Sequence, residues 1–348
     1  MGYAGITDLS KYGSFILEDG DLLMSHINSV QYLGRTVLYR RLDGEIIIHG
    51  MNLLRLKANR NIISPEYARY AFYSYPFRSQ LSKITKKSVN QASFAVTDLK
   101  RIKLDIPELN TQAKIVSTLD KLQSIITHPK QQLEKLDELV KARFVEMFGD
   151  KDYPYQELIS LIIKGAGLSY GIVQPGDDGT GDMGVLRPVD LVDGSIAIDS
   201  IKYIDRQIGE SFQKTELNGQ ELLITVRGTT GITALTDERF AGMNVTRGIA
   251  VIRYNSYVIN PIYLNEFLKS DESQRYIQEN TRGATLKQIN LSDLRVQRIL
   301  VPPLELQYQF ATFVQQTNKS KVAVQKSLDE AQLLFDSLMQ EYFGQNGV

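Results

Sequence analysis

Residues Thr111–Phe148 read TQAKIVSTLDKLQSIITHPKQQLEKLDELVKARFVEMF, and residues Leu306–Phe343 read LQYQFATFVQQTNKSKVAVQKSLDEAQLLFDSLMQEYF. The second stretch lies 195 positions after the first, and the apolar residues of the two align without a gap, as Val140 does with Phe335. In each stretch the apolar residues recur every three or four positions, which predicts a long helix with one apolar stripe. Two such helices are expected to pack on each other in antiparallel orientation, close to a coiled coil, each carrying a globular part.

The repeat continues upstream of both helices. Thr97–Lys100 matches Ser292–Arg295, and Gln112 matches Gln307. A repeat of this length indicates two copies of one domain-plus-helix unit rather than a solenoid. Residues 151–205 have no counterpart before the first helix, so we expect the first globular part to be incomplete at its N-terminus.

These patterns predict an α+β fold in which two mixed α/β domains are separated by two long helices packed as an antiparallel coiled coil. The expected boundaries are 1–108 for the first domain, 109–149 for the first helix, 150–304 for the second domain and 305–345 for the second helix. Pro129 predicts a kink or break near residues 127–130, because proline removes a backbone donor and costs ~3 kcal/mol inside a helix.

Shorter elements can also be predicted from the pattern of apolar and turn-forming residues. Ser64 and Pro65 predict the start of a helix, with Ser64 as its cap. The polar stretch Lys86–Phe94 is expected to be a loop or a hairpin. Strands are expected at Asp21–Ser25, Glu45–Ile48, Leu99–Ile106, Glu221–Val226, Gly248–Tyr254 and Val296–Val301.

Composition excludes several classes of protein. The chain has no cysteine, which rules out disulfides and thiol chemistry, and its three scattered histidines argue against a structural zinc site. No apolar run approaches the ~20 residues that cross a bilayer, and the N-terminus lacks the pattern of a signal peptide. We therefore expect a cytoplasmic protein without a membrane partner.

Charge is balanced overall but is unevenly distributed. The chain has 40 basic and 40 acidic residues, whereas residues 1–150 have a net charge of +5 and residues 151–348 a net charge of −5. Overall neutrality argues against strong non-specific binding of nucleic acid by the chain alone, while local basic loops remain available.

Taken together, these features resemble the DNA specificity (S) subunits of type I restriction–modification systems. The resemblance covers the whole chain and rests on the duplicated unit and on the residues at the ends of each long helix. These residues are Ile106-Pro107 to Gln112 and Val301-Pro302-Pro303 to Gln307 at the starts, Phe148-Gly149 and Phe343-Gly344 at the ends, and the segment Gly184–Ile196.

The resemblance implies that each globular domain is a target recognition domain that reads one half of a bipartite sequence in double-stranded DNA. The paired helices would act as a ruler and bind two methyltransferase subunits, and restriction (motor–nuclease) subunits would complete the complex. It implies no catalytic activity and no cofactor in this chain, because S-adenosylmethionine, ATP and magnesium belong to the partner subunits.

The length of the helices is consistent with this ruler. A helix of about 35 residues is about 50 Å long, which corresponds to roughly 15 base pairs of DNA.

Base recognition requires side chains with fixed donors and acceptors, which are expected on loops at the ends of strands. The candidates in the second domain are Arg227, Thr229, Thr230, Asn244, Thr246, Arg247, Arg282, Thr285, Lys287 and Gln288. The candidates in the first domain are Ser25, His26, Asn28, Arg35, Lys86, Lys87, Asn90 and Gln91. Water-exposed loops are polar in any protein, so loop polarity alone also fits a surface without DNA.

Two other functions fit parts of the pattern. A helical adaptor would use the globular domains to bind protein and the helices to set their geometry. A solitary DNA methyltransferase is suggested by Asn260-Pro-Ile-Tyr263, which departs at its third position from the Asn-Pro-Pro-Tyr pattern of adenine methyltransferases. The matching Ser64-Pro-Glu-Tyr67 favours a helix cap at both places.

Overall fold

The computed structural model describes residues 8–89, 91–149, 151–174, 176, 181–192 and 194–344. These residues form two units, each with its own core. The first unit contains the described residues up to Leu133 and from Ala323 onward, and the second contains those within Glu134–Val322. Each unit therefore combines one globular part with segments of both long helices.

The first globular part contains six strands and three short α-helices among its described residues. In chain order these are β1 (Leu22–Ser25), β2 (Ile27–Asn28), β3 (Thr36–Leu38), β4 (Leu53–Leu56), α1 (Pro65–Ala71), α2 (Tyr75–Ile84), β5 (Lys86–Lys87), β6 (Ala92–Ser93) and α3 (Val96–Leu99). The first long helix, α4, follows as Leu109–Phe148.

The second globular part is richer in strands. Its elements are β7 (Tyr155–Glu157), β8 (Met183–Leu186), β9 (Leu191–Val192), β10 (Ser195–Ile196), β11 (Lys202–Ile204), α5 (Arg206–Glu210), β12 (Leu222–Thr225), β13 (Thr233–Leu235), β14 (Asn244–Val245), β15 (Ile249–Ile252), α6 (Pro261–Lys269), α7 (Asp271–Glu279), β16 (Thr281–Arg282), β17 (Gln288–Ile289), α8 (Leu291–Arg295) and β18 (Arg298–Leu300). The second long helix, α9, follows as Leu304–Phe343.

Each globular part contains an antiparallel three-stranded sheet, and the two sheets have the same topology. Its strand order is β3-β1-β4 in the first unit and β13-β12-β15 in the second. A buried carboxylate precedes the central strand in each sheet and pairs with an arginine, Asp21 with Arg55 on β4 at 2.6 Å and Glu221 with Arg253 directly after β15 at 3.5 Å. Because the same arrangement is built twice, the sequence repeat extends to the tertiary structure.

The second sheet is covered on both faces. Leu222, Ile224 and Ile252 on one face pack into the core that also contains α6 residues. Leu223 and Val251 on the other face pack against residues of β8, β9 and β14. In the first unit the described residues contain no counterpart of that second layer, and β3 leaves Val37 exposed at 57% where the matching Ala234 is fully buried.

Helix packing in the first unit brings the start of α4 onto the end of α9. Ile115 and Leu119 of α4 pack with Phe335 and Phe343 of α9, and α1 closes the cluster. Tyr67 of α1 lies 5.2 Å from Phe343, measured between ring centroids. The start of one helix thus meets the end of the other, as antiparallel packing requires.

The second unit shows the reciprocal arrangement, in which the end of α4 meets the start of α9. Phe144 and Phe148 of α4 pack around Phe310 of α9, with ring centroids 5.5 and 5.6 Å apart. Lys321 pairs with Asp137 further along the same two helices. As residue numbers rise from Asp137 to Phe144 on α4, they fall on α9, so the predicted antiparallel packing is confirmed.

One buried glutamine near the start of each long helix, Gln112 or Gln307, connects the helix to its globular part by hydrogen bonds. In the first unit Gln112 accepts a hydrogen bond from the Ser64 backbone N–H at 2.9 Å and donates to the carbonyls of Ile62 and Pro107. In the second unit Gln307 accepts from the Asn260 N–H at 2.8 Å and donates to two matching carbonyls. Both glutamine side chains are fully buried, which explains why glutamine occurs at both copies of this position.

Helix caps also agree with the sequence. Ser64 accepts a hydrogen bond from the Tyr67 N–H and begins α1, as predicted. Asn260 does the same for α6, because its side-chain oxygen accepts from the N–H groups of Ile262 and Tyr263. The Asn-Pro-Ile-Tyr segment is therefore a helix cap, and burial raises the pKa of Tyr263, whose hydroxyl donates to a backbone carbonyl.

Two strand predictions are wrong. Glu45–Ile48 contains only a single bridge from Ile48 to Ile16, because no second strand runs beside it among the described residues. Leu99–Ile106 ends α3 and then continues without regular structure. Its counterpart β18 is a strand because β7 pairs with it, and the described part of the first unit contains no strand in the place of β7.

The predicted break at Pro129 is absent, since α4 is continuous from Leu109 to Phe148 with Pro129 inside it. The flanking Ile126 packs with Leu328 and Ala331 of α9, and this tertiary contact holds the helix together across the proline. A bend at this point stays a prediction.

Replacing Pro129 with alanine should stabilise the first unit by about 1–3 kcal/mol, because alanine restores the missing backbone hydrogen bond. The measurement is urea unfolding combined with hydrogen exchange of the amides around residue 129. Lys130→Ala is the matched control, with little expected change. Lower stability in Pro129→Ala would show instead that α9 packs specifically on the proline ring.

Among the described residues, no helix combines the length and apolar character needed to traverse a lipid bilayer.

Candidate nucleic-acid interface

In the second unit, hydrogen bonds join the loop after the central strand β12 to the β16–β17 hairpin, and we call the two together the fastened loop and hairpin. Arg227 forms an isolated bridge with Gln288, and the Gly228 N–H donates to the Lys287 carbonyl at 2.8 Å. Thr230 and Thr281 share a side-chain hydrogen bond of 3.0 Å. The hairpin is thereby fixed to the sheet instead of projecting as an independent loop.

This arrangement brings together most of the residues predicted for the second domain. The side chains that share the surface of the fastened loop and hairpin are those of Arg227, Thr229, Arg282, Thr285, Lys287 and Gln288. Thr229, Thr285 and Lys287 are exposed there. Thr246 and Arg247 precede β15, and the Gly248 carbonyl accepts from the Val226 N–H, which places them beside the same strand end.

The first unit repeats this construction with different residues. Strand β2 pairs with β6, which pairs with β5, so the β5–β6 hairpin is joined to the segment that follows the central strand β1. Lys86 and Lys87 are both exposed in β5, and no ion pair to either of them occurs among the described residues. Two adjacent unpaired cations fit a surface that attracts phosphate.

The remaining candidates of the first unit lie around the same hairpin. His26 directly precedes β2, Asn28 is its last residue, and Gln91 lies in the turn of the hairpin. Arg35 lies beyond the end of β1, where its carbonyl accepts from the Ser25 N–H, and its guanidinium stacks on the Tyr32 ring at 4.5 Å. Asn90 lies outside the described residues.

Three predicted contact residues prove to have internal roles. Asn244 is fully buried, and its side chain bonds Thr215, the Val245 N–H and the Phe212 carbonyl. Ser25 and Thr230 are also buried, and each is bonded to a neighbouring side chain. The prediction for Asn244 is therefore corrected, because an amide committed to three internal partners cannot reach a base.

Asn244→Ala should lower the free energy of unfolding by about 2–3 kcal/mol, because three buried partners lose their hydrogen bonds. Thr285→Ala, at an exposed position of the hairpin, is the contrasting variant and should change stability by less than about 0.5 kcal/mol. Thermal unfolding of the two variants compares them directly. Unchanged stability of Asn244→Ala with altered DNA binding would contradict the internal role.

The structure also reveals candidates that the sequence reasoning missed. Val89 and Leu286 are apolar side chains exposed in the turns of the two hairpins, and Tyr32 lies exposed beneath Arg35. Exposed aliphatic residues in a basic hairpin can contact the methyl group of thymine. Their isolation within otherwise polar stretches was the available signal.

One charged contact links the second hairpin to α8. The Arg282 guanidinium lies 3.5 Å from the Asp293 carboxylate in α8. Among the described residues, no group of three or more acidic or histidine side chains is arranged to hold a metal ion. The surface therefore offers hydrogen-bond donors, acceptors and positive charge on a loop and hairpin that are hydrogen-bonded to each other.

Comparison with known proteins places this architecture in a family. Residues 5–138 and 179–331 match the profile of the type I restriction modification DNA specificity domain. A Methanocaldococcus jannaschii protein named as a specificity subunit of the type I restriction enzyme MjaX is 27% identical over 312 residues, covering 86% of this chain and 71% of the relative. The EcoBI specificity subunit of Escherichia coli is 23% identical over 301 residues, covering 78% of this chain and 63% of the relative.

A solved structure concerned with complex assembly and conformational transition of the type I restriction–modification system shares the fold, with a TM-score of 0.54 and 17% identity. The match covers 95% of this chain and 83% of the other. The chain therefore belongs to the family of type I restriction–modification DNA specificity proteins, the non-catalytic components that recognise the DNA sequence in these systems.

Proposed function

We propose that this chain recognises a two-part DNA sequence, with residues 1–108 reading one half-site and residues 150–304 reading the other. The observation that carries this proposal is the hairpin fastened to the end of the central strand, which is built in both units. The side chains on the two hairpins differ, Lys86 and Lys87 in one and Arg282, Thr285 and Lys287 in the other. One scaffold with different side chains suits two readers of different sequences.

The proposal extends to the partners. Two methyltransferase subunits and the restriction subunits would complete the complex, and S-adenosylmethionine, ATP and magnesium would be bound by those partners in the cytoplasm. Exposed apolar residues on the long helices, such as Val145, Val322 and Leu333, are candidates for methyltransferase contact. The near neutrality of the chain fits a DNA reader whose affinity depends on a partner.

Enrichment from a random DNA pool tests this function. The purified chain is mixed with the methyltransferase subunit of the same system, and bound DNA is sequenced. We expect a split motif with an unread centre. An unchanged pool would favour a protein-binding adaptor, and methyl transfer by the chain alone would favour a solitary methyltransferase.

The unread spacer is proposed to follow from helix length. Each long helix has 40 residues and takes part in both units, and at ~1.5 Å per residue it is about 60 Å long. Inserting seven residues after Lys130 and seven after Lys326 preserves the apolar repeat and adds about 10 Å, or about three base pairs. Enrichment with this variant should give a spacer lengthened by about that amount, and an unchanged spacer would refute the relation.

A further inference from the structure

Two polar side chains of the fastened loop and hairpin lie directly opposite each other. Arg227, which follows β12 closely, forms an antiparallel bridge with Gln288 of β17. Residues that are directly opposite in an antiparallel pair project from the same face, with Cβ atoms about 4.5–5.5 Å apart. The bridge therefore places a guanidinium group and a carboxamide group side by side.

Alternation along both strand segments shows which way this pair projects. Val226 and Ile289, the sequence neighbours of the pair, are fully buried in one apolar cluster. The Ile289 N–H also donates to the Val226 carbonyl at 3.0 Å. Because successive side chains of a strand point to opposite faces, Arg227 and Gln288 project away from that cluster.

Neither side chain of the pair is engaged by the protein. Among the described residues, no hydrogen bond or ion pair involves the guanidinium of Arg227 or the carboxamide of Gln288, and both residues are half-buried. None of their side-chain nitrogen or oxygen atoms is buried without a partner, so these atoms reach solvent. The arginine on the neighbouring strand, Arg282, lies instead beside the Asp293 carboxylate. Arg227 and Gln288 therefore keep their donors and acceptors available.

We propose that Arg227 reads a guanine and Gln288 reads an adenine, in adjacent base pairs of the half-site bound by the second unit. This inference rests on the proposed function and names the residues that set part of the sequence. In the major groove, arginine makes two hydrogen bonds to O6 and N7 of guanine, and glutamine makes two to N6 and N7 of adenine. That groove also admits a two-stranded β-ribbon such as the β16–β17 hairpin.

The spacing of the pair suits neighbouring base pairs. Base pairs are stacked about 3.4 Å apart along the DNA axis, and directly opposite residues in an antiparallel pair start from Cβ atoms about 5 Å apart. Two long side chains that start at this separation can reach the edges of successive bases. One bridge between two strand segments thus provides two readers in a fixed register.

The first unit carries different side chains at the matching positions. Its Phe94 N–H donates to the His26 carbonyl, and the directly opposite pair beside that bond is Ile27 and Ser93. Isoleucine offers only apolar contact, for example to the methyl group of thymine, and a serine hydroxyl does not distinguish the bases by two fixed hydrogen bonds. The matching pair of the first unit therefore imposes neither a guanine nor an adenine on its half-site.

Enrichment from a random DNA pool, with the methyltransferase subunit present, tests the assignment. The wild-type chain should give a motif with a G·C pair next to an A·T pair in one half. Arg227→Gln should change the G·C pair to A·T, and Gln288→Glu should change the A·T pair to C·G, because glutamate accepts from N4 of cytosine. Preference for the original pair should fall at least about fivefold at that position, while the rest of the motif stays.

Matched controls make the same chemical changes elsewhere. Arg275→Gln and Gln315→Glu lie at exposed positions outside the fastened loop and hairpin, and they should leave the motif unchanged. Thermal unfolding of Arg227→Gln and Gln288→Glu should match that of the wild-type chain, since neither side chain has an internal partner. A changed motif then reports on recognition and not on folding.

Three results would overturn the assignment. The first is a split motif from the wild-type chain without adjacent G·C and A·T pairs in either half. The second is an unaltered motif with both variants, and the third is weaker binding of all sequences with every base preference retained, which would make the two residues phosphate contacts. Each of these leaves the proposed function in place, whereas an unenriched pool with the wild-type chain would overturn both.

Discussion

Replacing Gln307 with leucine is expected to lower the free energy of unfolding of the second unit by about 3–5 kcal/mol. Leucine has a similar volume, but it leaves the Asn260 N–H and the carbonyls of Val258 and Pro302 buried without partners. Each such group costs about 1–3 kcal/mol. The destabilisation should appear as faster hydrogen exchange at residues 258–264 and as a lower urea midpoint.

Two variants make this result specific. Gln112→Leu should destabilise the first unit by a similar amount, because Gln112 makes the corresponding three bonds. Gln315→Leu, at an exposed position of the same helix as Gln307, should change stability by less than about 0.5 kcal/mol. If Gln307→Leu and Gln315→Leu change the free energy of unfolding by the same amount, the hydrogen bonds of Gln307 do not connect the globular part to its helix.

The Arg227→Ala, Lys287→Ala double variant is expected to reduce binding of the enriched DNA, with the methyltransferase subunit present, by at least about 30-fold. Each charged contact to a base edge contributes about 1–3 kcal/mol, and the two residues lie together on the fastened loop and hairpin of the second unit. Fluorescence anisotropy at several salt concentrations measures the affinity. The slope of log affinity against log salt should fall by about one for each phosphate that the variant no longer neutralises.

Controls for this prediction come from both units. Lys214→Ala, Arg275→Ala removes the same charge from exposed positions outside the loop and hairpin and should leave affinity within about threefold. Lys86→Ala, Lys87→Ala should weaken the other half-site, so that enrichment yields only one half of the motif with each double variant. An equal reduction in affinity from the Lys214, Arg275 pair would mean that net charge alone determines binding.

Local pattern was sufficient for the elements whose sequence signal lies within a short stretch of the chain. The long helices have an unbroken apolar repeat, and the caps at Ser64 and Asn260 lie beside prolines that start a helix. The polar stretch Lys86–Phe94 predicts a loop or hairpin, and β5 and β6 form a hairpin there. In each case the decisive residues are within a few positions of one another.

Elements that depend on a distant partner were not predictable in this way. Residues 99–106 alternate as a strand would, yet a strand forms only at the matching β18, where β7 supplies hydrogen bonds. Pro129 should break an isolated helix, but α9 packs beside it and the helix continues. Asn244 has the side chain expected of a residue that reads adenine, and the fold buries it against Thr215.

The sequence by itself determined that this protein consists of a duplicated unit with two long amphipathic helices, because periodicity and a constant offset between copies are properties of the chain. Only the tertiary structure decided which polar side chains face outward and which bond internally. A polar side chain needs a hydrogen-bond partner wherever it lies. Whether that partner is backbone, another side chain or DNA depends on which groups the fold places next to it.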